Sequence, residues 1–596
     1  MRKIIRRETK ELGELRTSQL ITSFGVGAIV DFRDETAILG GADDWYRNPE
    51  EDKERVLRCH NLENILDKQF LVKPKCDKIQ RAIYKRPYSH DIGAYRFPSV
   101  LYCPSCTHLW SEKELAGLQK GELRCPRCGK RLVPSRFIVV CRHGHIDDFP
   151  YSLWVHRGKP CEKQEGDKPP KLKLFNINGR TNLGSLMVSC EDCGKIRSMQ
   201  EAFVPEALAS VYKCLGRQPW LEHDDFHGCS EKAVVRMRTS TGVYMPVNIS
   251  ALNIPPWSTN VSKILLSHLD AMEGKNETAL LNYIQRILSP YLPGVPVNQI
   301  LATYKTLISE EHQKHPTSVK ELYEEEYRAL CEEAEDEKSD FCSRRTIVPA
   351  KYRDLIDEVT AVDRLTEIVA MVGFTRLQGW DGKMDSPSLA PIFSYDPKTW
   401  LPAIDMHGEG IFIRFNEHKI EEWEKNNSTI YQPMMERVEK NHLHCENASP
   451  RYVLLHTFSH LFIRSLAKLC GYQTSSIKER IYSTYEGGQK MSGVLIYTAS
   501  SDAEGSLGGL VAQAEPAHME ENIDALLNEA EWCSGDPLCM TSTGINGQGV
   551  FGLNYAACHQ CTLLPETSCT MRNLLLDRAA LIGRTDDNTI GFFRKL

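Results

Sequence analysis

Between residues 260 and 345 apolar side chains recur every three to four positions. Val261, Leu265, Leu269 and Met272 form one series; Leu280, Leu281, Ile284, Ile287 and Leu288 form a second. This is the spacing of amphipathic helices. The run Glu332, Glu333, Glu335, Asp336, Glu337 and Lys338 then reads as a solvated helical face or a linker. Helical periodicity returns over 453–469 and 523–532, and the apolar run 493–498 predicts a strand. Near the start, Gly25 and Gly27 lead into a short apolar strand ending at Asp31, as a turn rather than a phosphate cradle. A glycine-rich stretch holding Gly505, Gly508 and Gly509 reads as another turn, with Asp502, Glu504 and Ser506 on it as ligand contacts or ordinary turn residues. These signals predict an α+β multidomain chain. A mixed α/β region covers 1–100, a cysteine-rich region 101–245, a helical segment 246–345 and a mixed α/β domain 346–596.

The length of 596 residues suits about three or four domains. Hydrophobic content of 41% and charged content of 26% are those of an ordinary globular protein. No apolar run approaches a membrane span, and the start, MRKIIRRETK, lacks the apolar core of a signal peptide. A cytoplasmic, reducing location is therefore expected, in which paired cysteines serve metals rather than disulfides. The net charge of −6 excludes a globally basic nucleic-acid binder. Local basic patches remain: Arg2, Lys3, Arg6 and Arg7 on the N-terminal arm, and Arg124, Arg127 and Lys130 beside a cysteine pair. Each reads either as a phosphate contact or as plain solvating charge.

The cysteines change the picture most. Cys103 and Cys106 form one CxxC pair, and Cys125 and Cys128 a second after eighteen intervening residues. Each pair fits one tight turn, and two such turns complete a tetrahedral Cys₄ shell for zinc. Cys190 and Cys193 form another pair, for which Cys214 and Cys229 are the expected partners, with His227 competing. The segment Cys141-Arg-His143-Gly-His145-Ile-Asp147-Asp148 is denser. With His156 and Cys161 it offers a third N-terminal set of donors (Cys141, His145, His156 and Cys161). Its histidines and aspartates would also suit a hydrolytic metal centre, although a catalytic ion needs an open position. At the C-terminus Cys533, Cys539, Cys558 and Cys561 are the expected ligands of one further site, with Cys569 next in line. The total is about three zinc ions per chain, or four if the Cys141 set takes one.

Other motifs exclude more than they assign. His456 and His460 stand four apart on a predicted helix, but Thr457 occupies the place where a zinc protease carries its general base. They read as core or hydrogen-bonded histidines. No Gly-Lys pair is followed by Ser or Thr, so there is no Walker A loop, and no G-x-S-x-G elbow occurs. Gly547, Gly549 and Gly552 spell G-x-G-x-x-G, but between cysteines and without a preceding apolar strand. A loop joining metal ligands explains that string better than a dinucleotide site.

The stretches LLHTFSHLFIRSL, GYQTSSIKERIY, GVLIYTASSDAEGSLGGL, CSGDPLC and AACHQCTLLPETSCTMRNLLLDR, between Leu454 and Arg578, resemble the zinc-binding domain at the C-terminus of MrfA-type DNA-repair helicases. RTSQLITSFGVGAIVDF, CRHGHIDDFPYSLWVH, LGRQPWLEHDDFHGC and SALNIPPW extend the resemblance to the DrmB family, the helicase-associated subunits of the DISARM anti-phage system. The resemblance implies a non-catalytic subunit that partners a DrmA-like helicase/ATPase and acts with it on DNA, directly or through that partner. It also implies a C-terminal zinc-binding domain over 346–596.

Overall fold

The computed structural model describes residues 12–33, 35–45, 55–74, 92–115, 123–164, 166, 168–177, 182–204, 206–221, 228–309, 316–334, 339–394, 398–441, 445, 447–499, 508–584 and 590–593. Arg2, Lys3, Arg6, Arg7, His227, Asp502, Glu504 and Ser506 lie outside them. Helices and strands are mixed throughout, as an α+β chain requires. The chain divides into two compact units built from interleaved segments. The first takes Met1–Leu57, Phe70–Ile249 and Ala370–Ile404; the second takes Arg58–Gln69, Ser250–Val369 and Asp405–Leu596.

The first unit is built on short antiparallel strands. Phe137–Val140 is central to one three-stranded sheet, flanked by Ile146–Asp148 and Val234–Met237. All four of its residues are buried, so both faces of this strand are covered. A six-stranded sheet runs in the order Ile196–Ser198, Leu186–Cys190, Leu172–Asn176, His108–Ser111, Val100–Tyr102 and Val133–Pro134. Phe137, Val139, Phe149, Trp154, Val188 and Val235 share the core of this unit.

The second unit contains the helices that the apolar spacing predicts. They include Asn260–Leu266 and Glu277–Tyr283, and two further helices, Val297–Ile308 and Val319–Leu330, follow them. Leu265, Met272, Leu280, Ile284 and Leu288 form the core of this segment, while Ile287 is exposed. A π turn at Ile284–Leu288 widens the helix there, so the i, i+3 spacing no longer keeps Ile287 inside. The strands Met245–Leu252, Ile356–Thr375, Trp400–Phe415, Ser492–Thr498 and Ile477–Ser483 lie side by side in that order. Residues 245–249, 370–375 and 400–404 at their ends belong to the first unit.

Against Ile477–Ser483 and Ser492–Thr498 packs the helix Pro450–Cys470. Its start is fixed by Ser449, whose side chain accepts from the Tyr452 amide, and by Pro450 in the first turn. It stops at Gly471, which takes the left-handed φ of 74° that closes helices. The helices Glu417–Lys440 and Pro516–Ala530 cover its other sides. Residues 451–463 are consequently all buried, with His456, Thr457, Ser459 and His460 among them. A helix enclosed all round must find partners for each polar side chain it carries inward.

Candidate metal centres

Four groups of cysteine and histidine donors converge, each with its ligand atoms within 4.8 Å of one another. Cys103, Cys106, Cys125 and Cys128 make the first. Cys103 and Cys106 sit on the turn between Val100–Tyr102 and His108–Ser111, closed by the Cys103 amide on the His108 carbonyl at 2.9 Å. Cys125 and Cys128 repeat the turn, with Gly129 at a φ of 70° donating to the Cys125 carbonyl at 2.8 Å. The sulfur pairs Cys103–Cys128 and Cys106–Cys125 are each 3.4 Å apart.

The structure sorts the next eight donors differently from the expected pairing. Cys190 and Cys193 lie with His156 and Cys161, whereas Cys214 and Cys229 lie with Cys141 and His145. Packing and strand register are the reason. The helix Tyr151–Val155 packs on Leu186–Cys190 and Ile196–Ser198, so His156 at its end and Cys161 beyond it reach the 190–193 turn. Val140 pairs with both Ile146 and Val234, so Cys141 lies beside the segment that enters Val234–Met237 and carries Cys229. In the His156 group the histidine Nδ1 faces the Ser152 carbonyl at 2.8 Å, which leaves Nε2 free to point at Cys193 Sγ, 3.2 Å away. Cys161 and Cys190 sulfurs are 3.8 Å apart. In the Cys141 group, His145 Nδ1 lies 3.3 Å from Cys141 Sγ and 3.7 Å from Cys214 Sγ. Cys141 beside it draws the Cys214 thiol down to about 4.

The acids that made this segment a hydrolytic candidate are engaged elsewhere. Asp147 accepts from Arg217 at 2.6 Å and from the Tyr212 hydroxyl at 2.7 Å. Asp148 accepts from the Ser99 hydroxyl and from the Val100 amide, and burial pushes its carboxyl up. His143 stands outside the donor group, with Nδ1 3.5 Å from Cys229 Sγ.

Cys533, Cys539, Cys558 and Cys561 form the fourth group, with Cys533–Cys558 at 3.5 Å and Cys539–Cys561 at 3.8 Å. The Gly535 amide, the Thr562 hydroxyl and the Gln548 amide nitrogen donate to its sulfurs. Cys539 is the main cause that draws the Cys561 thiol down to about 5. No hydrophobic residue other than these cysteines belongs to the small cluster here, among the described residues. Zinc fits the sulfurs: a tetrahedron with bonds near 2.3 Å has edges of about 3.8 Å. Soft thiolates with neutral imidazoles are the donors zinc prefers.

Cys569 is not in this group. It lies with His456, His460 and Glu479, all four buried, in a fifth convergence that sequence reasoning missed. The available signal was two histidines four apart on an apolar helix together with an odd fifth cysteine downstream. Burial pushes His460 down and Cys569 up.

Residues 458–562 match the MrfA Zn-binding domain, and residues 16–245 match a domain of unknown function, DUF8724. The DISARM protein DrmB of Bacillus paralicheniformis is 31% identical over 575 residues, which cover 90% of this chain and 97% of that protein. The chain belongs to the DrmB family. In this DrmB-family chain the Cys533–Cys561 group falls within the zinc-binding match, and the three N-terminal groups fall within the DUF8724 match. Among the described residues, no helix is long and apolar enough to cross a membrane.

Proposed function

We propose that this DrmB-family chain is a non-catalytic zinc-binding subunit of a DISARM defence complex, which docks on a DrmA-like helicase/ATPase and helps it engage DNA. The carrying observation is the surface of the fourth group. Trp532, immediately before Cys533, is 72% exposed, and on the loops spanned by Cys533–Cys561 Leu538 is 82% exposed, Ile545 89%, Val550 61% and Phe551 53%. A metal-braced segment that presents five large apolar side chains to water is built to meet another protein. Four zinc ions at the four cysteine-rich groups would brace the turns that carry them. All four positions in each group are filled by protein donors, which suits structural ions better than a catalytic one. Arg124, Arg127 and Lys130 are exposed beside the first group and would meet phosphates, with salt-sensitive and weakly sequence-dependent contacts.

The test is co-purification of the chain with its motor subunit, followed by DNA binding by each alone and by the pair at several salt concentrations. Leu538→Asp with Ile545→Asp is expected to abolish pairing while zinc content stays unchanged. Arg124→Ala with Arg127→Ala is expected to leave pairing intact and to flatten the salt dependence of DNA binding by the pair. Pairing that survives the first double variant would sink the docking surface. An unchanged salt slope in the second would leave a scaffold that does not touch DNA.

A further inference from the structure

We propose that His456, His460, Glu479 and Cys569 form a fifth, fully enclosed metal site that takes a divalent cation of zinc's type. His456 and His460 lie one turn apart on Pro450–Cys470, and Glu479 is on the adjoining strand Ile477–Ser483. All three are buried with 0% side-chain exposure, and Cys569 is buried beside them. His456 Nε2 is 3.2 Å from Cys569 Sγ and 3.0 Å from Glu479 Oε1, and His460 Nε2 is 3.4 Å from the same oxygen.

The orientation of these groups argues for an ion at their centre. Each imidazole turns Nδ1 to a backbone carbonyl, His456 to Leu575 at 3.3 Å and His460 to Thr562 at 3.1 Å. That contact fixes the proton on Nδ1 and leaves the Nε2 lone pair facing inward, the tautomer that metal-binding histidines adopt. Glu479 repeats the arrangement: Oε2 accepts from the Ser459 hydroxyl while Oε1 faces the centre. Among the described residues, neither His460 Nε2 nor Glu479 Oε1 has a partner in hydrogen-bonding geometry, although both are inaccessible to water. Cys569 Sγ accepts from the Asn573 amide at 3.2 Å, the kind of contact that steadies a thiolate. An inward-facing ring nitrogen and carboxylate oxygen without partners would carry a desolvation cost of several kcal/mol in an empty core. One cation bonded to all four donors removes it.

The donor set N₂OS with four protein ligands suits zinc, and its closure suits a structural role. The ion would tie the helix to the adjoining strand and to the segment after Cys561. Only His460 and Glu479 lie within the 458–562 match; His456 and Cys569 flank it.

The test is elemental analysis of the full-length protein together with anomalous diffraction at the zinc edge. Five metal equivalents, with an anomalous peak between His456 Nε2 and Cys569 Sγ, are the expected result. Cys569→Ser and Glu479→Gln are each expected to lose one equivalent and to retain four. Four equivalents in the unaltered protein with no peak at this position would overturn the site, and the cluster would be a buried imidazole–carboxylate pair. Because the peak is sought in the unaltered protein, a variant that fails to fold leaves the test decisive. Neither readout depends on helicase pairing.

Discussion

Arg376 donates from Nε to the Gly144 carbonyl at 2.9 Å, deep inside the first unit. Gly144 is the tip of the turn that carries Cys141 and His145. It takes a φ of 76°, and a Cβ there would lie 2.6 Å from that of Ala390. Arg376 also donates to the Gly27 carbonyl at 2.9 Å and to the Val243 carbonyl. One guanidinium therefore satisfies three buried acceptors and anchors a metal-bearing turn. Arg376→Met should cost roughly 2–4 kcal/mol, since charge-assisted bonds are lost and their acceptors stay buried. It should also speed zinc release from the Cys141 group alone. Thermal unfolding and the amplitude of the fastest phase after chelator addition would check both.

The regrouping of the N-terminal donors predicts a pattern of zinc loss. Two ligand substitutions within one group should remove one zinc, and two in different groups should remove two. His156→Ala with Cys190→Ser is expected to lose one equivalent. Cys190→Ser with Cys214→Ser is expected to lose two, whereas the order of cysteines along the chain would have predicted one. Zinc content of purified double variants decides the point.

The contrast shows what the sequence could and could not tell. Cys103–Cys128 was legible because each of its pairs is held by a single turn, so local spacing reports three-dimensional proximity. The partners of Cys190 were not legible. They depend on the packing of the helix Tyr151–Val155 against Leu186–Cys190, a long-range contact that no local signal reports. The helix at 453–469 was readable from its periodicity, and its true start at Pro450 follows from the Ser449 cap. The role of its histidines was not readable, because Glu479 and Cys569 approach from other elements. That 250–369 folds with 405–596 was likewise hidden, because strand pairing across such separations leaves no periodic trace.

Glu326 and Arg480 bring an ion pair into the second unit's interior, with contacts of 2.6 and 2.9 Å. Glu326 also accepts from the Leu252 amide at 2.8 Å and the Tyr482 hydroxyl at 3.1 Å. Arg480 reaches the Ser250 carbonyl at 3.0 Å and stands 4.4 Å from the Tyr323 ring. Breaking a buried pair on one side leaves a charge without compensation. Glu326→Ala should therefore cost about 3–5 kcal/mol, and adding Arg480→Met should recover part of that loss. Chemical denaturation of the two variants, compared with the unaltered protein, measures the coupling.

Glu367 gives the acid limb of stability a specific contributor. Burial alone would raise its carboxyl, but Lys478 at 2.9 Å and the Arg480 charge bring it below the ordinary value of 4.5 on balance. A carboxyl depressed in the folded state binds its proton more readily when unfolded. Its contribution is thus fully present above about pH 4.5 and declines as the pH falls through the folded-state value. Glu367→Gln should lower stability at neutral pH, leaving Lys478 without its partner. It should also narrow the stability gap to the unaltered protein as the solution is acidified below that range. Zinc loss in acid affects both proteins alike, so the difference between their unfolding midpoints, measured from pH 7 downward, isolates this pair. A gap that stays constant with pH would assign the acid limb to other groups.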